Sequence, residues 1–319
     1  MEFRSTPVNY LGKKAKYVGL FQALGLHQAR RFGDFTSGSG TVPLFAVEGL
    51  GARDLLLNDA SPYARMIAEA FFVRRPLSER SLRIAALTRP VEGYLCSLKA
   101  AGDRAWKRLP ESAAAWVDGY CVGNAEQPLL LLALACVLTR GASRFSMLVG
   151  LHLESLTPRL LREQVTQAAL ALRPRQYGSL VSASVLDCDY LAPPLREWDL
   201  DGRVMYLDPA WPTQPGHPTV DNGRAYGLYA SLVMSVLAQR ALPVPAAYAV
   251  SEQDFYRGLR ATVEGCLGAG ARIFVAYQTT PERLPTIRQH LFAGLRVAEA
   301  FAEKNAASTL CEYLFEVGP

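Results

Sequence analysis

The sequence predicts an α/β fold in two pieces, separated by a mostly helical, basic insertion. Three observations predict it. From Arg31 to about Phe72, short apolar runs alternate with helical patterns, as in the βαβ units of a parallel sheet. From residue 76 to about 175 the pattern is helical, punctuated by Pro90, Pro110, Pro128 and Pro158. Strand-like runs then resume at 177–186 and 202–208 and recur toward the end of the chain.

The elements follow in order. "RRFGDF" reads as a strand, "TSGSG" as a glycine turn, "TVPLFAVEGLG" as a helix, "ARDLLLND" as the next strand and "SPYARMIAEAFF" as the next helix. Beyond the insertion come the strands "YGSLVSASVL" and "GRVMYLD". "SEQD" at 251–254 matches a capping box, and Phe255, Leu259, Val263 and Cys266 fall on one helical face behind it. "ARIFVAYQ" is a buried strand, and a helix runs from near Pro281 to Gly294, a helix-terminating residue. "LRVAEAFAEK" and "TLCEYLFEV" alternate in twos and suggest an antiparallel hairpin that closes the sheet. The apolar stretch 228–250 suits an extra helix used for packing or for a partner.

Composition narrows the class. With 319 residues, half of them hydrophobic and a fifth charged, the chain has the make-up of a globular protein of one to three domains. Its longest apolar run, Leu129 to Leu138, falls short of the ~18 residues expected of a membrane span and reads as a buried helix. The first residues are polar and basic with no apolar signal core, so a cytoplasmic location and no membrane partner are expected. Cysteines 96, 121, 136, 188, 266 and 311 form no CxxC pair and no metal-ligand cluster; they read as reduced core residues, and no metal is expected.

The net charge of +5 is mild but uneven. Between Arg74 and Arg108 nine Arg and Lys residues stand against three acids, an excess of six. Such an excess is what phosphate neutralisation requires, and also what a solvated helical face carries. Arg74, Arg75, Arg80, Arg83, Lys107 and Arg108 are the candidate nucleic-acid contacts.

The chemistry-bearing motifs lie on either side of that region. In "DFTSGSGTVP", 34–43, Gly38 and Gly40 let the backbone approach a ligand at the start of a helix. No GK[ST] follows, and Pro43 stands where the dinucleotide fingerprint has its third glycine, so neither a phosphate loop nor a pyrophosphate site is indicated. Asp59 lies 19 residues past Gly40 at the end of the next strand, where an acid accepts hydrogen bonds from ribose hydroxyls. A ligand with a ribose and no pyrophosphate fits this pattern, and S-adenosyl-L-methionine is one. Upstream is the lysine-rich "NYLGKKAKY". Downstream, "YLDPAW" sets a carboxylate, a proline and an indole where a strand stops.

The order "YLGKK", "DFTSGSG", "ND", basic insertion, "YLDPAW", late strand and hairpin resembles the Dam-type, class alpha adenine-specific DNA methyltransferases. The likeness covers 9–72 and about 177–317 and lies in the order of the motifs. Ala210 stands where the family has its second proline, and Thr36 where it has a phenylalanine, with Phe35 one place early.

The resemblance implies a Rossmann-like fold dependent on S-adenosyl-L-methionine. A mixed seven-stranded sheet with its hairpin would span 1–75 and 177–319, and 76–176 would be an inserted target-recognition region. It implies that Tyr10 and Lys14 lie near the methionine end of the cofactor, with Asp34, Ser37, Gly38, Ser39 and Gly40 as the turn around it and Asp59 at the ribose. Asp189 of "DCDYL" would meet the cofactor's adenine amine, with Asp187 as a rival. Asp208 and the Pro209 carbonyl would accept hydrogens of the target amine, and Trp211 would stack on the extruded base.

The expected partner is DNA, as a duplex with an extruded adenine. Open beside this are a cytosine or RNA amine as acceptor, and a degenerate methyltransferase-fold subunit that binds nucleic acid or a protein. His217, Arg224 and Tyr226 belong either to a substrate-covering loop or to a plain surface loop, and His27 and His152 read as structural or exposed.

Overall fold

A computed structural model of the chain describes residues 18–25, 29–139, 151–209, 231–243, 251–304 and 310–319. Seven strands form one mixed sheet: β1 (Arg31–Asp34), β2 (Asp54–Asn58), β3 (Ser182–Leu186), β4 (Val204–Leu207), β5 (Arg272–Thr279), β6 (Arg296–Lys304) and β7 (Cys311–Gly318). Their order across the sheet is β3-β2-β1-β4-β5-β7-β6. The pairs among β1 to β5 are parallel, and β7 runs antiparallel to both β5 and β6. The chain therefore steps outward from β1 to β3 and then returns to the other side of β1 through β4. That reversal makes the β1–β4 gap a topological switch point, where open α/β sheets form ligand crevices beyond their carboxyl ends.

Alternation along the strands sorts side chains onto two faces. Leu55, Leu57, Val204, Tyr206, Phe274 and Leu314 join one core with helices α1 (Val18–Gly25), α2 (Thr41–Gly49) and α3 (Pro62–Ala68). Leu56, Met205, Leu207, Ile273, Val275 and Phe315 join the other with α10 (Glu252–Gly268) and α11 (Leu284–Phe292). The helix starts are written locally. Ser61 caps α3 and Ser251 caps α10, each accepting the amide hydrogen three residues on, and Pro62 occupies the first turn of α3. The hairpin of β6 and β7 closes the sheet at one edge, as the alternating pattern predicts.

Beyond α3 a π-helical turn, Glu69–Val73, leads into five further helices: α4 (Glu79–Ala85), α5 (Tyr94–Ala100), α6 (Glu111–Gly123), α7 (Pro128–Leu138) and α8 (Pro158–Leu172). Helix α7 is apolar all round and almost wholly buried, as a central helix must be. It packs on α3, on the π-helical turn and on α8. The first core consequently runs without a break from the sheet into α6, α7 and α8. Where the chain comes back, Gln176 donates to the Ala70 carbonyl (3.1 Å) and accepts from the Leu77 amide (3.3 Å). Beside it Glu48 of α2 accepts from Arg175 and from the Tyr177 hydroxyl, whose pKa is pushed up to about 12 by burial and then by that carboxylate. No helix among the described residues is long and apolar enough to cross a membrane.

At the opposite, amino-terminal edge of the sheet, Arg203 is 4% exposed. It donates to the carbonyls of Phe32 (3.1 Å), Asp54 (3.2 Å) and Asp199 (3.1 Å) and to the Asp54 carboxylate (2.8 Å). One guanidinium thus ties β1, β2 and the approach to β4. Breaking a fully buried pair costs ~3–5 kcal/mol. Here Asp54 stays 41% exposed and keeps Arg31 at 3.2 Å, which lowers the cost. Arg203→Ala is expected to lose roughly 2–3 kcal/mol of unfolding free energy. Denaturant titration checks this; a midpoint unchanged from wild type contradicts it.

Candidate functional site

The carboxyl ends of β1, β2 and β4 lie level with one another, since Asp34 is in register with Leu57 on one side and Tyr206 on the other. Beyond that line the ladders stop, and backbone groups must find other partners. The loop 35–40 supplies them on both sides. The Phe35 amide donates to the Tyr206 carbonyl (3.0 Å), and the Ser37 amide donates to the Asn58 carbonyl (3.0 Å). Gly40 then turns into α2 at φ 70°, in the left-handed region that favours glycine, and Gly38 also lies there at φ 48°.

Two carboxylates hold this loop. Asp34, 1% exposed, accepts from the Thr36 amide (2.9 Å), and Asp59, 5% exposed, accepts from the amides of Gly38 (2.9 Å) and Ser61 (2.8 Å). Asp59 therefore shapes the glycine turn itself. Ser37 and Ser39 are both buried, and Ser39 pairs with the Thr41 hydroxyl at 2.8 Å.

Thr36 is the link to β4. Its hydroxyl oxygen accepts the amide hydrogen of Asp208 at 2.9 Å, so the first residue past β4 is fastened to the glycine loop. Asp208 is half-buried and Pro209 is buried. Thr36 is thus a cross-strand tie. Phe35 takes the apolar role: it is fully buried and packs on Trp198, ring centroids 5.2 Å apart.

Asn58, which the resemblance names only as the neighbour of Asp59 in "ND", is the third tie. Its amide nitrogen donates to the carbonyls of Phe35 and Cys188, each at 3.1 Å, and its oxygen accepts from the Cys188 amide at 2.9 Å. It joins the ends of β1 and β2 to the segment after β3. A polar residue closing the apolar run "DLLLN" was the available signal.

That segment carries the rival acids. Asp187 is ion-paired with Arg65 of α3 at 2.5 Å. Asp189 is exposed and accepts from the Leu191 amide at 2.9 Å. The buried Tyr190 phenol has its pKa driven upward, first by burial and then by the charges of Asp189 and Asp59. Both of those acids therefore lie within electrostatic reach of one side chain. Asp34, Ser37 to Gly40, Asp59, Asp189, Asp208 and Pro209 are gathered around the ends of β1, β2, β3 and β4. Tyr10, Lys14, His27, Ala210, Trp211, His217, Arg224, Tyr226 and the side chain of His152 lie outside the described residues.

The basic residues sit apart from this rim. Arg74 and Arg75 follow the π-helical turn, Arg80 and Arg83 are one turn apart on α4, and Lys107 and Arg108 precede α6. All six are exposed. Arg108 pairs with Glu154 at 3.4 Å; the other five have no acid partner among the described residues. Interleaved with them are exposed apolar side chains, Val73, Ile84, Leu87 and Val91. Lys99 is used inside the fold, donating to the carbonyls of Trp106 and Lys107.

The rim thus combines the acids Asp59, Asp189 and Asp208 with a glycine loop in which Gly38 is half-buried and Gly40 is packed against the core. Thr36→Val keeps the shape and removes the acceptor of the Asp208 amide, a change that costs about 1–2 kcal/mol. The Asp208 amide is expected to exchange hydrogen roughly 5- to 30-fold faster, as about 1.4 kcal/mol is a factor of ten. Native-state exchange checks this, and an unchanged rate contradicts the tie. A scan against protein-family models and a search of curated proteins each find no match to the chain.

Proposed function

We propose that the chain is an S-adenosyl-L-methionine-dependent methyltransferase that modifies the exocyclic amine of adenine in DNA. The observation that carries the reading is the Thr36–Asp208 bond, which fastens the main chain of Asp208, at the end of β4, to the glycine loop at the switch point. When bound, the cofactor supplies an electrophilic methyl group. Ser37 to Gly40, Asp59 and Asp189 would hold it, with Tyr10 and Lys14 as the resemblance implies.

The chain's own task is to present the nucleophile. An adenine amine is a poor one, because its lone pair is delocalised into the ring. The Asp208 carboxylate and the Pro209 carbonyl accept its two hydrogens and favour the pyramidal form, with the lone pair free to react. Positioning of this kind is worth several powers of ten in rate. The base has to leave the duplex first, and stacking on Trp211 offsets ~1–3 kcal/mol of the lost stacking. The exposed arginines 74, 75, 80 and 83 and Lys107 supply phosphate contacts.

A second reading, a methyltransferase-like chain that binds without transferring, is favoured by Ala210 in place of the second proline. Asp208→Ala leaves the tying amide intact, so the loop stays fastened and only the carboxylate is lost. Methyl transfer is expected to fall at least ~10²-fold, as when one preorganised hydrogen-bonding group is removed from an active site. Nucleic-acid affinity is expected to stay within about twofold, because that charge faces the amine rather than the phosphates. Mass spectrometry of digested nucleosides reads the product. Retained activity removes Asp208 from the chemistry; cofactor binding with no methylated nucleoside selects the second reading; methylated cytosine or RNA moves the acceptor.

A further inference from the structure

Residues 231–237 form a helix, α9, that follows Asp208 and Pro209 in sequence. Val233, Val236 and Leu237 bury it in the same core as α6 to α8. The helix ends in a Schellman-type turn: the Arg240 amide donates to the Ser235 carbonyl (3.0 Å) and the Gln239 amide to the Val236 carbonyl (3.2 Å). The residue at the left-handed position of such a turn is usually glycine. Here it is Gln239, with φ 55°, the one non-glycine residue of positive φ among the described residues. A side chain is carried where the backbone alone would prefer none, and such strain persists only where the surroundings over-determine it.

The side chain shows what holds it. Gln239 Oε1 accepts from the Tyr94 amide (3.1 Å), and Nε2 donates to Asp118 Oδ1 (2.8 Å) and to the Val236 carbonyl (2.8 Å). Asp118, on α6, is fully buried. Besides Gln239 it accepts three backbone amides at the start of α5: Gly93 (3.0 Å), Leu95 (2.9 Å) and Cys96 (2.9 Å). The fit leaves no slack. A Cβ on Gly93 would stand 2.5 Å from Gln239 Oε1 and 2.9 Å from Asp118 Cβ.

Two parts of the proposed machinery meet at this point. The strand of chain before Gly93 carries Arg89 and Val91. It is pressed onto α6, where Val91 donates to the Ala115 carbonyl and a Cβ on Gly119 would come within 2.0 Å of the Arg89 carbonyl. The other part is α9, whose Val233, Val236 and Leu237 share a core with Tyr206 of β4, two residues before Asp208. The exit of α9 is folded back on the helix, with the Leu242 amide donating to Ser235 Oγ (2.9 Å) and Ser231 Oγ donating to the Leu242 carbonyl. Movement of α9 is therefore movement of Gln239.

Resting on the methyltransferase reading above, we infer that Gln239, with Asp118 and Gly93, is a pin that joins the basic region to α9 and so to the core that β4 enters through Tyr206. Through it, nucleic acid bound along the arginines and the acceptor pair at the end of β4 share one frame. Gln239 is a positioning residue and touches neither substrate nor cofactor. Its predicted signature is a loss in turnover without a loss in affinity.

Gln239→Gly tests this directly, because glycine is the preferred residue at that backbone conformation and the helix end survives the change. Hydrogen exchange on the full chain is expected to rise at least about tenfold at the amides of Gly93, Leu95 and Cys96 and also in 231–238. In methyl-transfer assays on duplex DNA, kcat is expected to fall about tenfold or more with KM for DNA within about twofold. Asp118→Asn provides the second variant and is expected to show the same split. Faster exchange confined to 231–240, or unchanged kcat in a variant whose pin amides have loosened, overturns the inference. If the wild-type chain transfers no methyl group to any nucleic acid, the parent reading falls, and the paired exchange response alone decides whether the pin joins the two regions.

Discussion

Where the parallel ladders of this sheet end, main-chain amides still need acceptors, and four side chains provide them. Thr36 accepts the amide of Asp208, Asn58 that of Cys188, Asp34 that of Thr36, and Asp59 those of Gly38 and Ser61. An unmade hydrogen bond at a buried amide costs about 1–3 kcal/mol, which is a substantial share of a domain's net stability. The rim is consequently a set of mutually dependent bonds. The glycine loop has its shape because Asp59 and Asp34 hold it, and Asp208 has its place because the loop holds Thr36. Position, charge and main-chain acceptors converge there.

The same economy governs the helical region. The core is continuous from the sheet through α7 to α8, so the basic surface is carried on packed helices rather than on a tethered module. Its ends are stitched at Gln176 and Glu48, and its middle is fastened to α9 by Gln239 and Asp118. Surface charge pairs such as Arg108–Glu154 add little to stability at their exposure. Rigidity comes instead from buried polar side chains that satisfy several backbone groups at once. In the proposed reaction, which needs a nucleic acid held in one place and a reacting amine in another, that arrangement would transmit position.

Much of the fold was legible because its signals are local. Ser61 with Pro62, Ser251 with Asp254, and Gly40 each mark a boundary through bonds that span three residues or fewer. Period-two alternation put Leu55 and Leu57 on one face and Leu56 on the other, and it gave the closing hairpin. The candidate site was legible where glycine and acid spacing report on a turn, at 34–40 and 59. It was illegible where a bond joins residues far apart in sequence. Thr36 read as a lost phenylalanine because its partner is 172 positions away, and Asn58 read only as the neighbour of Asp59 because Cys188 is 130 positions away. Gln239 gave no signal at all, since local rules expect glycine at a left-handed helix end and only tertiary contacts explain the exception.

The proposed activity requires the rim of β1, β2 and β4 to act as a preorganised nucleoside site, its loop held by Asp59. Calorimetric titration of the full chain with S-adenosyl-L-methionine, alongside Asp59→Ala, tests it most directly. One equivalent is expected to bind the wild-type chain, with affinity reduced at least about tenfold in the variant, the equivalent of one charge-assisted hydrogen bond. A wild-type chain that binds none, or a variant that binds as tightly, contradicts the claim.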